Sequence, residues 1–427
     1  MHKDFPRGFG WLMAAQFFSA VADNALLIVA IAHLQFLNSP VWWAPLLKFA
    51  FTLSYVFLAP FIGALADAVC KSKLMGWMNG LKLLGAIALL YGAPPMLAFA
   101  LVGLGASAYA PAKYGLMTES VPHSALVAAN GWVESTVVIA VLLGTVVGGG
   151  LISPLWLNSS LVQFLSSLWP ASAGSSSASL NLSFLVVIGI YLLSALLNFG
   201  IVPSDARYPA RSLSPIRLIA DFRRSNTLLW QDRSGGLSLS ATTMFWGIGA
   251  MLQFAVLHWA VQSLGLTLDK AAYLQGIVAV GVVAGAVLVA SRLRLHHATT
   301  VLPLGILMGV CMAASVTATS WVWAVPFLLA VGALGGMMVV PMNALLQHRG
   351  HRLLTAGQSI AVQGFNENLS ILLILLAYAG LLAIHMPVQA IVVTAGLWLV
   401  VFVSWIHLRR RHSAGLLTLL SRLRTRD

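Results

Sequence analysis

Long apolar runs without a charged residue limit what this chain can fold into. No Asp, Glu, Lys or Arg occurs between Glu134 and Asp205, or between Arg294 and Arg349. Of the 427 residues, 59% are hydrophobic and only 8% are charged. Apolar runs of about 18 residues or more are typical of transmembrane helices. The sequence therefore predicts an all-α membrane protein that crosses the bilayer many times.

Twelve transmembrane segments fit this pattern, six in each half of the chain. The first six are predicted at residues 9–37, 45–67, 74–93, 96–118, 125–152 and 183–203. The second six are predicted at residues 237–263, 271–291, 299–319, 321–345, 356–384 and 387–407. The prediction thus divides the chain into an N-terminal half at 1–203, an Arg-rich linker at 204–236, a C-terminal half at 237–407 and a basic tail at 408–427.

Basic residues concentrate on one side of this arrangement. They lie in the linker, in the tail and in loops such as the one with Lys71 and Lys73, whereas the other side holds essentially Lys270 alone. Because cytoplasmic loops of membrane proteins are enriched in Lys and Arg, both termini are predicted to be cytoplasmic. The same asymmetry explains the formal net charge of +13 without a nucleic-acid partner.

Two polar motifs each occur twice, at an offset of about half the chain. Asn130 and Glu134 in the fifth span match Gln363 and Glu367 in the eleventh, and Pro111-Ala112-Lys113 in the fourth matches Pro341-Met342-Asn343 in the tenth. An amide and a Glu four residues apart share one helix face, so each carboxylate has a hydrogen-bond donor beside it. The pattern predicts a duplicated bundle with its polar groups at the interface of the repeats.

Seven ionisable side chains fall within or at the edges of the spans. They are Asp23, Lys48, Lys82, Lys113, Glu119, Glu134 and Glu367. A charge at the centre of a membrane helix costs about 2.5–3.5 kcal/mol on insertion scales, so this set argues against a purely structural bundle. Lys48 and Glu119 lie near helix ends and are predicted to extend to the membrane interface.

Two interpretations stand for each of the central charges. Asp23 either lines a cavity and contacts a cation or a proton, or it is neutralised by an ion pair with Lys113 or Lys82. The Lys113 ammonium either donates to a phosphate or carboxylate, or serves as an internal counter-ion. Glu134 and Glu367 are either proton sites, because burial disfavours the charged form, or hydrogen-bonded braces for their helices.

Several chemistries have no motif in this sequence. There is no phosphate-binding Gly-x-x-x-x-Gly-Lys-Ser/Thr loop for ATP, no His or Cys cluster suited to a metal, and no nucleophile elbow. We therefore expect a transporter without a cofactor or a metal site, not an enzyme acting on lipids. A proton-coupled drug or metabolite antiporter of the same fold remains an alternative, with Asp23, Glu134 and Glu367 as its proton carriers.

The loop after the second span resembles a signature of the major facilitator superfamily. Gly63, Leu65 and Asp67 match its Gly-x-Leu-x-Asp portion, and Lys71 and Lys73 supply the basic residues that follow. Ala68 stands where a basic residue is usual and Cys70 where a Gly is usual, a departure that would weaken the latch between helices. The resemblance implies two six-helix halves related by a pseudo-two-fold axis.

Four longer strings are similar to the bacterial lysophospholipid transporters. They are residues 14–27, 79–85, 109–115 and 340–347, and the similarity extends over nearly the whole chain. The similarity implies inward movement of lysophospholipids across the lipid bilayer of the inner membrane. It also implies that a partner acyltransferase and acyl-carrier-protein synthetase reacylates them there. We expect the transporter to be a monomer.

The same resemblance implies which side chains meet the substrate. The polar residues of the family carry over at Asp23, Asn24, Lys113 and Tyr114. Gln253 stands where the family is expected to have Arg, which puts the strength of phosphate binding and the headgroup preference in doubt. The predicted substrate-binding set is completed by Glu134, Gln253 and Glu367.

Overall fold

Helices account for the regular secondary structure in the part of the chain that the structure describes. The computed structural model describes residues 8–121, 126–167, 178–203, 214–290, 293, 295–354 and 356–424. The N-terminal half contains α1 (Phe9–Phe36), α2 (Trp43–Ala68), α3 (Lys71–Leu90), α4 (Pro95–Ser120), α5 (Leu126–Leu151), the short α6 (Pro154–Leu157) and α7 (Ser160–Ser167), and α8 (Ala178–Asn198).

The C-terminal half follows a helix that lies within the predicted linker. This helix is α9 (Pro215–Gln231), and after it come α10 (Arg233–Leu264), α11 (Leu268–Ala290), α12 (Leu302–Ser315), α13 (Trp321–Leu353), α14 (Ala356–Ala383) and α15 (Val388–Arg424). A 3-10 segment, Leu295–Val301, leads into α12.

Twelve of these helices correspond to the twelve predicted spans. Ten are long and apolar enough to cross a membrane by length and composition, and α5 contributes a shorter apolar segment, Thr136–Leu151. The remaining one, α3, is a 20-residue helix that carries three lysines. The repeated motifs lie on α4, α5, α13 and α14, and both repeated prolines, Pro111 and Pro341, stand inside their helices.

The contacts between helices repeat from one half to the other. In the N-terminal half α2 packs on α4, and α1 packs on α5; in the C-terminal half the equivalent pairs are α11 with α13 and α10 with α14. The main contacts between the halves are α2 with α14 and α5 with α11. The correspondence between the two halves converts one of these pairs into the other. The helices are therefore arranged as two six-helix halves with pseudo-two-fold symmetry.

Glycines allow some of these helices to approach closely. A Cβ atom at Gly285 of α11 would overlap the Ala333 carbonyl of α13, and one at Gly103 of α4 would overlap the Phe51 carbonyl of α2. In lipid, where helices gain no hydrophobic force by associating, such close contact supplies van der Waals packing instead.

Several segments differ from the sequence-based boundaries. The helix α10 begins at Arg233, not at residue 237, because the Asp232 carboxylate accepts hydrogen bonds from the Ser234 and Gly235 backbone amides and so caps it. The predicted loop at 153–182 contains α6 and α7, and α8 begins at Ala178. The helix α15 continues into the basic tail as far as Arg424.

Candidate functional site

An ion pair occupies the centre of the N-terminal half. The Asp23 carboxylate of α1 receives the Lys82 ammonium of α3 on Oδ2 at 2.6 Å and the Tyr191 hydroxyl of α8 on Oδ1 at 2.7 Å. Lys82 also donates to the Ser19 hydroxyl at 2.8 Å. Both carboxylate oxygens are thus satisfied from two different helices.

This arrangement decides which lysine meets Asp23 in the conformation seen here. Sequence analysis left Lys113 and Lys82 open as partners, and the structure pairs Asp23 with Lys82. The Lys82 side chain is only 3% exposed, whereas Asp23 keeps 18% exposure. The carboxylate therefore remains within reach of a ligand although the ammonium is enclosed.

Asp23 and Asn24 mark a change along α1. Both are partly exposed, and every residue from Ala25 to Ile31 beyond them is buried. The Asn24 amide donates to the Ala20 carbonyl at 2.9 Å within the same helix. The polar positions of α1 therefore adjoin a segment of the same helix that neighbouring residues enclose on all sides.

Lys113 and Tyr114 lie at another depth in the same half. Lys113 is 7% exposed, and its ammonium stands 4.3 Å from the centroid of the Tyr114 ring. Gly105 of α4 lies against Lys82, and at 1.5 Å per residue Lys113 is about 12 Å further along the helix. The predicted site residues Asp23 and Lys113 therefore belong to two levels of the bundle.

The expectation that Glu119 extends to the interface is wrong. Its carboxylate forms a 2.6 Å salt bridge with Lys71, and the two side chains are 6% and 5% exposed. Lys71, one of the basic residues of the superfamily-like loop signature, begins α3, and Glu119 lies in the last turn of α4. A carboxylate at a buried helix end is paired across the helices because an unpaired charge there would be costly. The side chain of Asp67 in that signature lies outside the described residues.

The same expectation for Lys48 stays a prediction. This partly exposed residue of α2 places its ammonium 5.2 Å from the centroid of the Phe51 ring.

The repeated amide and carboxylate interact in the C-terminal half as predicted. Gln363 of α14 donates to Glu367 at 2.8 Å and to the Asn343 side-chain oxygen of α13 at 3.1 Å. The prediction of a built-in donor beside Glu367 is confirmed. The side chains of Asn130 and Glu134, the equivalents in α5, lie outside the described residues. Gln253 is a partly exposed position of α10 between buried neighbours.

Sequence reasoning missed Tyr191 as a partner of Asp23. A signal was present in α8, where Tyr191, Ser194 and Asn198 follow one another at spacings of one helix face. Ser194 donates to the Ala15 carbonyl at 2.7 Å and Asn198 to the Ser72 carbonyl at 3.0 Å. This polar face joins α8 to α1 and to the start of α3. Within the described ranges, no three His, Cys, Asp or Glu residues come together in a way that suits a metal ion.

Comparisons with known proteins agree with this architecture. The sequence profile of the Major Facilitator Superfamily matches residues 12–373. The chain is 36% identical over 408 residues to the lysophospholipid transporter LplT of Shigella flexneri, covering 95% of this chain and 96% of that protein. The match to the LplT of Escherichia coli K12 has the same identity and coverage.

The chain belongs to the lysophospholipid transporter family of the major facilitator superfamily. The family resemblance of the four sequence strings is thereby confirmed, as is the predicted fold.

Solved structures of the superfamily share the fold at low sequence identity. The nucleoside transporter NupG superposes with a TM-score of 0.69 at 10% identity, covering 93% of this chain and 99% of that one. A bacterial homologue of the human lysosomal transporter Spinster, in an inward-facing and unoccupied conformation, gives a TM-score of 0.65 at 14% identity, covering 94% and 97%. These structural similarities cover nearly the whole of the fold described above.

Proposed function

We propose that this protein moves lysophospholipids, such as lysophosphatidylethanolamine, from the outer to the cytoplasmic leaflet of a bacterial inner membrane. The observation that carries the proposal is the 36% identity, over 95% of the chain, to proteins named lysophospholipid transporter. The contacts of α2 with α14 and of α5 with α11 support a rocking motion of two halves, which is how alternating access operates in this fold.

The substrate needs a polar route only for its headgroup. Burial of an acyl chain is worth about 0.8 kcal/mol per methylene, so a long tail stays in lipid or against apolar surface throughout. The headgroup carries a phosphate and, in ethanolamine lipids, an ammonium. The protein must therefore offer a donor for the phosphate and a carboxylate for the ammonium.

In this proposal Lys113 binds the phosphate and Asp23 the ammonium. Because the two residues lie at different levels of the bundle, the headgroup meets them at successive stages of transport, not simultaneously. Asp23 receives the ammonium as it releases Lys82, so one cation replaces another and the carboxylate is not left unpaired. Tyr191 continues to donate to the other oxygen and holds the carboxylate in place.

The other predicted site residues complete this route. Asn24 and Tyr114 stand beside Asp23 and Lys113 in sequence and contribute polar and aromatic contacts at the same two levels. Gln253 offers an amide from the C-terminal half, and Glu367, held by Gln363, is the carboxylate that this half presents. Glu134 is proposed as its equivalent in the N-terminal half.

Orientation and partners follow from the same function. We propose that both termini are cytoplasmic, because the basic loops, the linker and the tail all fall on one side of the predicted spans. Lysophospholipid delivered to that side is reacylated by an acyltransferase and acyl-carrier-protein synthetase. The transporter acts as a monomer, with its bundle in direct contact with the bilayer.

The test is uptake of radiolabelled lysophosphatidylethanolamine by cells that lack their own transporter. The wild type is compared with Lys113→Ala and with Lys270→Ala, an exposed lysine at the other end of the bundle that serves as the matched control. We expect wild-type uptake, loss of uptake in Lys113→Ala and normal uptake in Lys270→Ala.

A parallel arm adds an ionophore that collapses the proton gradient. A fall in lysolipid uptake would identify proton coupling of the proposed transport. A well-expressed wild-type chain that moves no lysolipid would overturn the proposal and favour the proton-coupled antiporter of the same fold.

A further inference from the structure

Lys48 has an ammonium group without a hydrogen-bonding partner among the described residues. Its one aromatic contact is with Phe51, at 5.2 Å from the ring centroid. Two other lysines of the same half, Lys71 and Lys82, each hold a carboxylate at 2.6 Å. Three N–H donors on Lys48 thus remain available inside a bundle where such groups are normally satisfied.

Lys48 and Tyr55 lie within electrostatic range of the Asp23 carboxylate of the central ion pair. Lys48, Phe51 and Tyr55 follow one another on one face of α2, and the Phe51 and Tyr55 rings lie 5.9 Å apart. All three are partly exposed, so this face of α2 is accessible to a ligand.

Charge on this part of the site favours an anion. Asp23 and Lys82 neutralise each other in the closed pair, and Lys48 adds a positive charge that no carboxylate of the described residues contacts directly. Lys82 and Tyr191 each donate to one oxygen of Asp23, and no hydrogen bond joins Asp23 to Lys48 among the described residues. An anionic group would satisfy the donors of Lys48 and the Tyr55 hydroxyl together.

We propose that Lys48 and Tyr55 of α2 form a second phosphate-binding position of the headgroup site, which favours lysophospholipids of net negative charge. The proposal rests on the lysophospholipid transport proposed above. The phosphate accepts hydrogen bonds from the Lys48 ammonium and the Tyr55 hydroxyl while the Asp23–Lys82 pair stays closed. A zwitterionic headgroup brings an additional ammonium, which Lys48 repels until Asp23 has released Lys82.

The proposal also bears on Gln253. This neutral side chain stands where the family resemblance implies a cation in the C-terminal half. Lys48 on α2 supplies a cation for the phosphate from the N-terminal half instead. The headgroup would then be held mainly by the N-terminal half, on α2 and α4.

The experiment measures uptake of lysophosphatidylglycerol and lysophosphatidylethanolamine by the purified full-length chain in proteoliposomes. Four proteins are compared: the wild type, Lys48→Gln, Lys48→Arg and Lys270→Gln. Because a charge-assisted hydrogen bond is lost, we expect Lys48→Gln to raise the KM for lysophosphatidylglycerol about tenfold or more. The effect on lysophosphatidylethanolamine should be smaller, and Lys48→Arg and Lys270→Gln should behave as the wild type.

Tyr55→Phe provides a second variant that removes only one hydroxyl. It should raise the KM for both lipids, because both carry the phosphate, and it keeps the ring that packs on Phe51. Equal KM values in the wild type, Lys48→Gln and Tyr55→Phe would overturn the second phosphate position. Absence of uptake by the wild type itself would instead overturn lysophospholipid transport, so the two failures are distinguishable.

Discussion

At the scale of single residues, four charged side chains described in the N-terminal half form two local pairs. Lys82 meets Asp23, and Lys71 meets Glu119, each at 2.6 Å. Removing one member of a buried pair leaves the other charge uncompensated, which costs about 3–5 kcal/mol, whereas removing both is much less costly. The central pair is therefore a structural element, and in the proposed transport cycle it is also the part of the site that opens.

The first prediction concerns this pair. We expect Lys82→Met to destabilise the protein by about 2–3 kcal/mol, below the usual cost because Asp23 keeps Tyr191 and some exposure. The double variant Asp23→Asn with Lys82→Met should recover most of this loss. Thermal unfolding in detergent measures both. A double variant less stable than Lys82→Met would contradict the assignment of the pair.

At the scale of elements, one residue joins the start of α10 to the end of α13. Asp232 caps α10 and accepts two hydrogen bonds from Arg349, at 3.1 and 2.7 Å. Next to it, Trp230 and Asn226 of α9 bind Asn366 of α14 at 2.9 and 2.7 Å. These contacts attach the linker helix to the C-terminal half.

The second prediction is a pH dependence at this junction. The Arg349 hydrogen bond, aided by the Gly235 and Ser234 backbone amides and opposed by partial burial, holds the pKa of the Asp232 carboxyl below its ordinary value. A carboxyl with a depressed pKa stabilises the fold at pH values above its ordinary pKa, and this contribution is lost as pH falls through the folded-state pKa.

Asp232→Asn tests that dependence because Asn still caps a helix. Near neutral pH we expect the variant to be less stable than the wild type by at most about 1 kcal/mol, since the pair is partly exposed to solvent. The difference should shrink as pH falls below about 4, the ordinary range of an aspartate. Melting temperatures across this pH range are the measurement, and a difference that does not vary with pH would refute the ion-pair origin.

The third prediction concerns helix packing. Gly285→Leu should destabilise the α11–α13 contact by about 1–3 kcal/mol or more, because even a Cβ atom there overlaps the Ala333 carbonyl. Gly189→Leu in α8 is the matched control, since a Cβ atom at Gly189 meets nothing within 4 Å. Thermal unfolding compares the two, and equal melting temperatures would argue against close packing of α11 on α13.

At the scale of the whole molecule, the two halves meet at the end opposite the basic loops. There Gly149 of α5 lies against Ala272 and Tyr273 at the start of α11, with a Cβ atom at Gly149 placed 3.3 Å from the Ala272 Cβ. Ala272 is fully buried, as is the α1 segment from Ala25 to Ile31. Opening this end during alternating access requires α5 and α11 to separate.

The fourth prediction is a reversible cross-link across that contact. In a chain with Cys70 and Cys311 replaced by Ser, Gly149→Cys with Ala272→Cys should form a disulfide, because the Cβ separation is close to the usual range of about 3.5–4.5 Å. We expect oxidation to stop lysolipid uptake and reduction to restore it. Each single-cysteine variant is a control, and uptake that persists in the fully oxidised double variant would contradict the requirement for separation at this end.

The sequence by itself determined the membrane class, the twelve helices, the duplication and the Gln363–Glu367 contact. Each depends on composition, on apolar length or on a spacing within one helix, which backbone geometry translates directly into a shared face. Sequence did not decide between Lys82 and Lys113 for Asp23, and it placed Glu119 at the interface, whereas the structure pairs Glu119 with Lys71.

Only the tertiary structure settled those positions. Asp23, Lys82 and Tyr191 lie on three helices, so their contact depends on how each helix is rotated about its axis and how deeply its neighbours pack. The same holds for Lys71 with Glu119. A local pattern specifies the face on which a charge stands, but the partner of that charge is set by packing between helices that are distant in sequence.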